Sequence, residues 1–549
     1  MGEIEMRKEH LLVSTAVGLA VALLTGPGAV RAEGLSGQVT SPQGALDGVL
    51  VTAKKAGSTI AYTVPTDDKG HYSFPSAKIE PGDYKLTIRA AGYDLDGPGQ
   101  ATVAAGKDAT ADLKLKTSKN LASQLTNAEW MSSMPGTEDQ KAFLLNCVGC
   151  HTLERVVRST HDVDEWMQVI NRMMNYAQVS QPIKPQKRMD PEWAPKPETF
   201  RKSAEFLASI NQSEHSKWDY ALKTFDRPKG KMLVTEYDLP RPTIEPHDVI
   251  LDGKGQVWYT NFGEMYLGKL DQKTGATSEI PLKTFKPGFP VGTLDIGIDK
   301  GGDFWVGMMF QGAIAKFDPK TEQFTYYPMP KDQDNNVTQL NMLGLEHQVD
   351  GKIWTNNAGN QEVYRIDLAT GKYETWAPMK QIATPGNHTI YGIASDSKNN
   401  LWFMEFQDNY IGRIDAKTGA LSLFRAPTDR SRNRRGVMDD QDRLWFAEYR
   451  GNKIGVFDTN EQTFKEWSLP TPWTGPYYPV VDHNGEIWTG GMTTDRVVRL
   501  DPKTNKSVEY MLPKDTNIRR VFVDNTTNPV TFWTGSNHGA SIVKVEPLD

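Results

Sequence analysis

"NNLWFMEFQDNYIGRIDAKTGALSLFRAP", residues 399–427, decides how this chain folds. An aromatic strand around Trp402 is followed by "IGRID", then by the tight turn "AKTG", then by a strand ending at Pro427. Short runs rich in aromatic and β-branched residues, cut by Gly, Asn and Asp, read as consecutive antiparallel strands. The wording recurs as "GQVWYTN", "GDFWVGM", "GKIWTNN", "NNLWFME", "DRLWFAE", "GEIWTGG" and "VTFWTGS". Aligned on Trp258, Trp305, Trp354, Trp402, Trp445, Trp488 and Trp533, the units are 47, 49, 48, 43, 43 and 45 residues apart. A period in the mid-forties with four short strands per unit predicts a β-propeller. The seventh unit ends at "SIVKVEPLD" without an outer strand, and "KMLVTEYDLP" (231–240) has the outer-strand pattern ahead of the first. Residues 230–549 therefore read as seven blades closed by strand exchange, which removes the sheet edges.

The rest of the chain must be something else. At 549 residues, two to four domains are expected. A net charge of -6 gives no reason to expect nucleic acid or an anionic membrane as partner. Residues 1–32 read as an export signal: Arg7 and Lys8, the apolar "LLVSTAVGLAVALL", then "VRA" with a cut after Ala32. Fourteen apolar residues are short for a span of about 20, so secretion to the periplasm is favoured over an anchor, and no other span is read. An oxidising compartment makes two unpaired thiols unusual.

Residues 35–115 read as a small β-sandwich. "LSGQVTSPQGALDG", "TDDKGHYSF", "PGDYKL" and "AAGY" stand in order. They resemble the carboxypeptidase regulatory-like domain, whose sandwich is similar in shape to carbohydrate-binding modules and usually serves as a spacer. Residues 116–135 read as a polar linker. From 136 to 212 the pattern turns helical: Thr137 with Gln140 has capping-box spacing, and Trp166, Val169, Ile170, Met173 and Met174 share an apolar face.

Inside that segment lies "NCVGCH", residues 146–151, with the only two cysteines of the chain. A thioredoxin-like pair would need a βαβ setting, and a zinc site would need two more ligands at short spacing. A disulfide would leave His151 unexplained. A covalent haem c explains all three, with thioethers at Cys147 and Cys150 and His151 as proximal ligand. Three helices around it predict a small all-α cytochrome c-like domain. The segment resembles small haem domains of the quinohaemoprotein type, and that resemblance implies a sixth ligand seven residues past a helix Trp: Met173, seven past Trp166, leads, with Met174 and Met189 behind it. The expected overall class is multidomain and mainly β: sandwich, haem domain, propeller.

The blade wording at 392–419 and 443–455 resembles the virginiamycin B lyase family. That resemblance implies a magnesium ligand and a histidine base on the inner rim, the base eleven residues before a blade tryptophan and the carboxylate three after. Glu405 and Glu448 stand at the second position, but the first holds Tyr391 and Arg434; His247 stands at the first in blade one, facing Asn261 at the second. No blade has both by this spacing. The candidate funnel residues are His247, His388, Tyr391, Glu405, Arg434, Glu448 and Tyr477, with Asn261, Asn357, Arg435, Tyr478, Arg520 and His538 also placed inward. The sequence reading is an exported haem protein whose propeller binds a small polar substrate or a redox partner protein. The alternatives are a carbon–oxygen lyase, with Mg or another divalent metal in the propeller, or a module that binds carbohydrate or the cell envelope.

Overall fold

A computed structural model describes residues 34–189, 197–212, 218–345, 350–382 and 388–548. The export signal read at 1–32 lies outside them. Seven sheets form the propeller. Blades one to six are four-stranded meanders, running from Pro246–Leu251 out to Thr277–Pro281 in blade one and from Pro476–Val481 out to Lys506–Met511 in blade six. Blade seven runs Ile518–Asp524, Thr531–Ser536 and Ser541–Pro547. Met232–Asp238 pairs antiparallel with Ser541–Pro547 as its fourth strand, so the two ends of the repeat close the ring as the sequence predicts.

Each blade tryptophan is buried, and five of them share one device. The indole nitrogens of Trp258, Trp305, Trp402, Trp445 and Trp488 donate to the aspartate six residues earlier: Asp252, Asp299, Asp396, Asp439 and Asp482. The same aspartates accept backbone N–H groups of the turn between the two strands, as Asp482 does from Asn484 and Glu486. One carboxylate thus ties the turn to the core ring. Removing it strands a buried N–H, which costs about 1–3 kcal/mol. Asp482→Ala should lower stability by about that amount, and Asp482→Asn by less, in a thermal melt; equal melts for both would refute the tie.

The N-terminal sandwich is fused to the propeller. Ile60–Pro65 pairs with the free side of Met232–Asp238 (Tyr62 opposite Thr235), so blade seven continues into the sandwich sheet Ile60–Pro65, Leu50–Lys55, Gly82–Arg89, Gln100–Val103. Arg89 adds an ion pair to Asp495 at 2.6 Å.

The expected all-α cytochrome c-like domain is not there. The described residues hold five short helices: α1 (Asn127–Ser133), α2 (Glu138–Ala142), α3 (Glu154–Val157), α4 (Val163–Met174) and α5 (Arg201–Ile210). The capping box at Thr137 is present. However, these helices do not close a core of their own. Trp130, Leu144, Val148, Trp166, Phe206 and Leu207 belong to one apolar cluster with the propeller residues Tyr449, Tyr477, Tyr478 and Met492. The apolar helix faces are spent on the propeller, which is why the 3.6-residue periodicity was real while the independent domain was not. Within 116–135, α1 is mostly buried, and Trp130 is inaccessible. Among the described residues, no helix is long and apolar enough to cross a membrane.

Candidate functional site: a capped propeller funnel

The funnel is built by a repeated irregularity. The inner strands of six blades slip register at the same point, skipping residues 247–248, 341–342, 391–392, 434–435, 477–478 and 519–520. In a regular strand, consecutive side chains face opposite sides; a bulge breaks that alternation. In four of the blades, at 247–248, 434–435, 477–478 and 519–520, both members of the pair reach the channel, in two layers.

Three second members, Asp248, Arg435 and Arg520, form a closed ion network with Asp295 of blade two. Arg435 donates to Asp248 (3.1 and 3.2 Å) and Asp295 (2.6 Å); Arg520 donates to the same two at 3.3 Å each. Tyr478 lies under both guanidiniums. Two arginines meet two aspartates, so this layer is self-compensated. Burial opposes the Asp248 charge, but Arg435 and the His247 ring hold its carboxyl well below the ordinary range.

The first members form the other layer. The Tyr477 hydroxyl lies 3.1 Å from His247 Nε2 and 2.5 Å from the Tyr391 hydroxyl, while His247 Nδ1 sits 2.7 Å from Asp248. Arg434 is ringed by Tyr391, Phe406, Tyr449 and Tyr477, with centroids 4.5–4.9 Å from its guanidinium. Arg519 lies over Phe262 and Tyr477. Burial drives the His247 ring down to about 4, so it is neutral at pH 7.

Over this layer sits the helical segment. The Leu145, Val148 and Gly149 carbonyls accept from Tyr449 Oη (3.1 Å), Asn517 Nδ2 (3.0 Å) and Arg519 Nη2 (2.8 Å). Asp139 pairs with Arg430 and Arg450 at the rim, and Lys184 with Glu264 across it. The CVGCH loop is thus the floor of a cap pressed into one mouth of the propeller.

The CVGCH residues themselves do not make the expected centre. Cys147 and Cys150 are free thiols, half-buried, and burial pushes them up to about 12 and about 11. His151 Nδ1 faces the Thr152 carbonyl at 3.0 Å, and burial pushes the ring down. Met173 is 40% exposed and Met189 43%, whereas α4 buries Trp166, Met167 and Ile170. Among the described residues, no three His, Cys, Asp or Glu side chains are grouped to hold a metal ion. Without a helical haem domain or a metal-holding group, the cytochrome, haem, iron and electron-transfer reading is withdrawn. The loop is used here as a cap.

At the rim of blade four the structure joins a pair that the spacing rule separates. His388 Nδ1 lies 3.4 Å from Glu405 Oε1, both buried. His388 precedes Trp402 by fourteen residues, not eleven, because it sits in the connection leading into the inner strand Ile390–Ser395. Glu405 also accepts from the Gln407 and Asp408 amides, and burial holds its carboxyl above the ordinary value. The equivalent Asn261 and Asn357 accept backbone N–H groups of Glu245 and Gln339. Capping the rim turns is therefore the shared task of this position. Glu448 points into its own blade, toward Glu466, Lys453 and Thr428.

Burial, then repulsion by Glu466, raises Glu448 from 4.5 to about 9. A raised carboxyl favours the folded state only while it is protonated in both states. Between about pH 4.5 and 9 the unfolded chain ionises and the folded one does not, so stability is lost progressively as pH rises. Glu448→Gln keeps the donor and removes that loss. It should stabilise the protein at pH 8 by an amount on the order of 1 kcal/mol or more, and little at pH 4.5. Chemical denaturation at the two pH values measures it; a pH-independent gain would refute it.

Sequence reading missed Arg519, Asp248, Asp295, Phe406 and Tyr449. The missed signal was the paired wording "HD", "LD", "RR", "YY" and "RR" at equivalent points of the inner strands.

With the geometry in hand, three family models match parts of the chain. Residues 34–116 match the carboxypeptidase regulatory-like domain, residues 378–548 the virginiamycin B lyase family, and residues 311–405 the glutamine cyclotransferase family. None of the curated proteins compared matches the chain. Among solved structures, a selenomethionine virginiamycin B lyase from Staphylococcus aureus is 24% identical, covering 57% of this chain and 99% of its own, with a TM-score of 0.49. A streptogramin B lyase is 25% identical (57% and 97%, TM-score 0.48), and a catalytically inactive virginiamycin B lyase from Staphylococcus aureus with quinupristin is 23% identical (57% and 99%, TM-score 0.49). The chain thus combines a carboxypeptidase regulatory-like sandwich with a propeller whose last blades resemble the virginiamycin B lyase family.

Proposed function

We propose that the propeller is a carbon–oxygen lyase of the virginiamycin B lyase kind, with His388 as its proton acceptor. The observation that carries this is the buried His388–Glu405 pair on the rim of blade four, inside the stretch that matches the family. With a proton on Nδ1 turned to Glu405, the lone pair is left on Nε2. That nitrogen would take a proton from the carbon beside an ester's alkyl carbon. The C–H electrons become a C=C bond, the alkyl C–O bond breaks, and its electrons leave on the carboxylate. The cationic Arg434 cage, which begins at Phe406 next to Glu405, favours the negative charge so formed. The rim offers one imidazole and one carboxylate rather than a protein cage for magnesium, and no step is assigned to a metal.

The test is direct. The full chain is incubated with a streptogramin B-type cyclic depsipeptide, with and without magnesium, and the products are separated by chromatography with mass detection. Ring opening by elimination gives a linear isomer of unchanged mass carrying a new alkene. Recovery of intact substrate under both conditions would sink the reading.

A further inference from the structure

The two funnel layers differ in one respect that the fold does not require. Arg435 and Arg520 are neutralised by Asp248 and Asp295. Arg434 and Arg519, 9% and 3% exposed, have no carboxylate within ion-pair distance among the described residues. Their Nε atoms are buried and lack hydrogen-bond partners. Aromatic rings surround both guanidiniums, and among the described residues the oxygen bonded to the Arg519 guanidinium is the Gly149 carbonyl. The Arg432 side chain, beside them, has the Phe406 carbonyl and the Asn146 side-chain oxygen as its acceptors among the described residues. Glu245, which feels the Arg519 charge, makes no ion pair with it among the described residues; burial pushes Glu245 up to about 8, which keeps it mostly neutral at pH 7.

A buried charge is costly unless it is paired, and two adjacent like charges more so. Rings offset part of that cost but do not supply a counter-charge. There is also room. A Cβ built on Gly149 would meet only Arg519 Nη2 within 4 Å, at 3.9 Å, so the cap opens to space opposite that guanidinium. The Tyr391 hydroxyl adds a donor: burial opposes its ionisation, yet Arg434 and Arg519 draw it below its ordinary value.

We propose that Arg434 and Arg519, with the Tyr391 and Tyr477 hydroxyls, form an oxyanion site between the funnel and the CVGCH cap. Its ligand is a small organic molecule bearing a carboxylate or a phosphate. Planar guanidiniums suit both groups, and an anion there would supply the counter-charge that the protein omits. The site does not depend on the lyase reading, since it is defined by binding.

The full-length protein in low-chloride buffer at pH 7 is titrated calorimetrically with sodium benzoate and, separately, with inorganic phosphate. At least one should bind saturably; which one distinguishes a carboxylate from a phosphate ligand. Arg434→Gln and Arg519→Gln should each raise Kd about tenfold or more, and Arg434→Lys should raise it less. Lys107→Gln, on the exposed sandwich surface, should leave it unchanged. If a Gln variant does not fold, the Lys variant and the Lys107→Gln comparison still decide. Absence of binding by both anions, or equal loss in Lys107→Gln, overturns the site. A protein that binds benzoate yet opens no depsipeptide ring keeps this inference and loses the lyase reading.

Discussion

Arg435→Ala should destabilise the protein by about 3–5 kcal/mol, the largest loss expected from any single funnel substitution. Arg435 is 1% exposed and holds Asp248 and Asp295, which come from blades one and two, while standing itself on blade five. Its loss leaves two buried carboxylates with Arg520 as their remaining guanidinium. Asp295 is already pushed up to about 6, by burial first and with Asp248 adding to it, so it would take up a proton. The loss should therefore be greater at pH 8 than at pH 5, where Asp295 is protonated more readily. Asp295→Asn in the Arg435→Ala background should recover part of the stability. Urea unfolding of the four variants at both pH values gives the coupling; additive losses would mean that the three blades are not tied through this network.

The propeller was legible because its information is local and repeated. Each Trp, each D-x-K-T-G turn and each outer-strand Pro specifies one blade, and "KMLVTEYDLP" announced the strand exchange. The sandwich was legible for the same reason. What failed was the cap. The apolar positions of α4 and α5 are those of any amphipathic helix, and periodicity does not say what covers the face. Trp130 and Leu144 share one apolar cluster with Tyr449 and Tyr477, more than 300 residues away in sequence. The "CVGCH" loop was misread by the same logic, since its spacing is local and its use is set by a distant funnel.

The candidate site was half legible. His247, Tyr391, Arg434 and Tyr477 were found because the inner-strand position repeats. Arg519 was missed although both members of "RR" at 434–435 and of "YY" at 477–478 were placed inward; the same bulge admits both residues at 519–520. His388 and Glu405 were both named, yet the fixed spacing kept them apart. A rim connection can lengthen without moving the strand that it enters, so a distance counted along the chain loses its meaning there.

His388→Ala should lower the lyase rate by about 10²–10⁴, with little effect on folding. His388 lies at the rim rather than in a blade core, with Glu405 at its Nδ1 and the Tyr410 ring edge-on beside it. Glu405→Gln should act less severely on the rate, because it weakens the hold on Nδ1 without removing the base. It should cost more in stability than His388→Ala, because Glu405 also accepts the Gln407 and Asp408 amides. The two substitutions are therefore expected to rank in opposite orders for rate and for thermal stability. A purely structural His388 would give the same order in both. If His388→Ala retains wild-type turnover while melting normally, proton abstraction must be moved to another residue. His247, neutral and hydrogen-bonded to Tyr477 at the centre of the funnel, is the next imidazole in reach of a bound ligand.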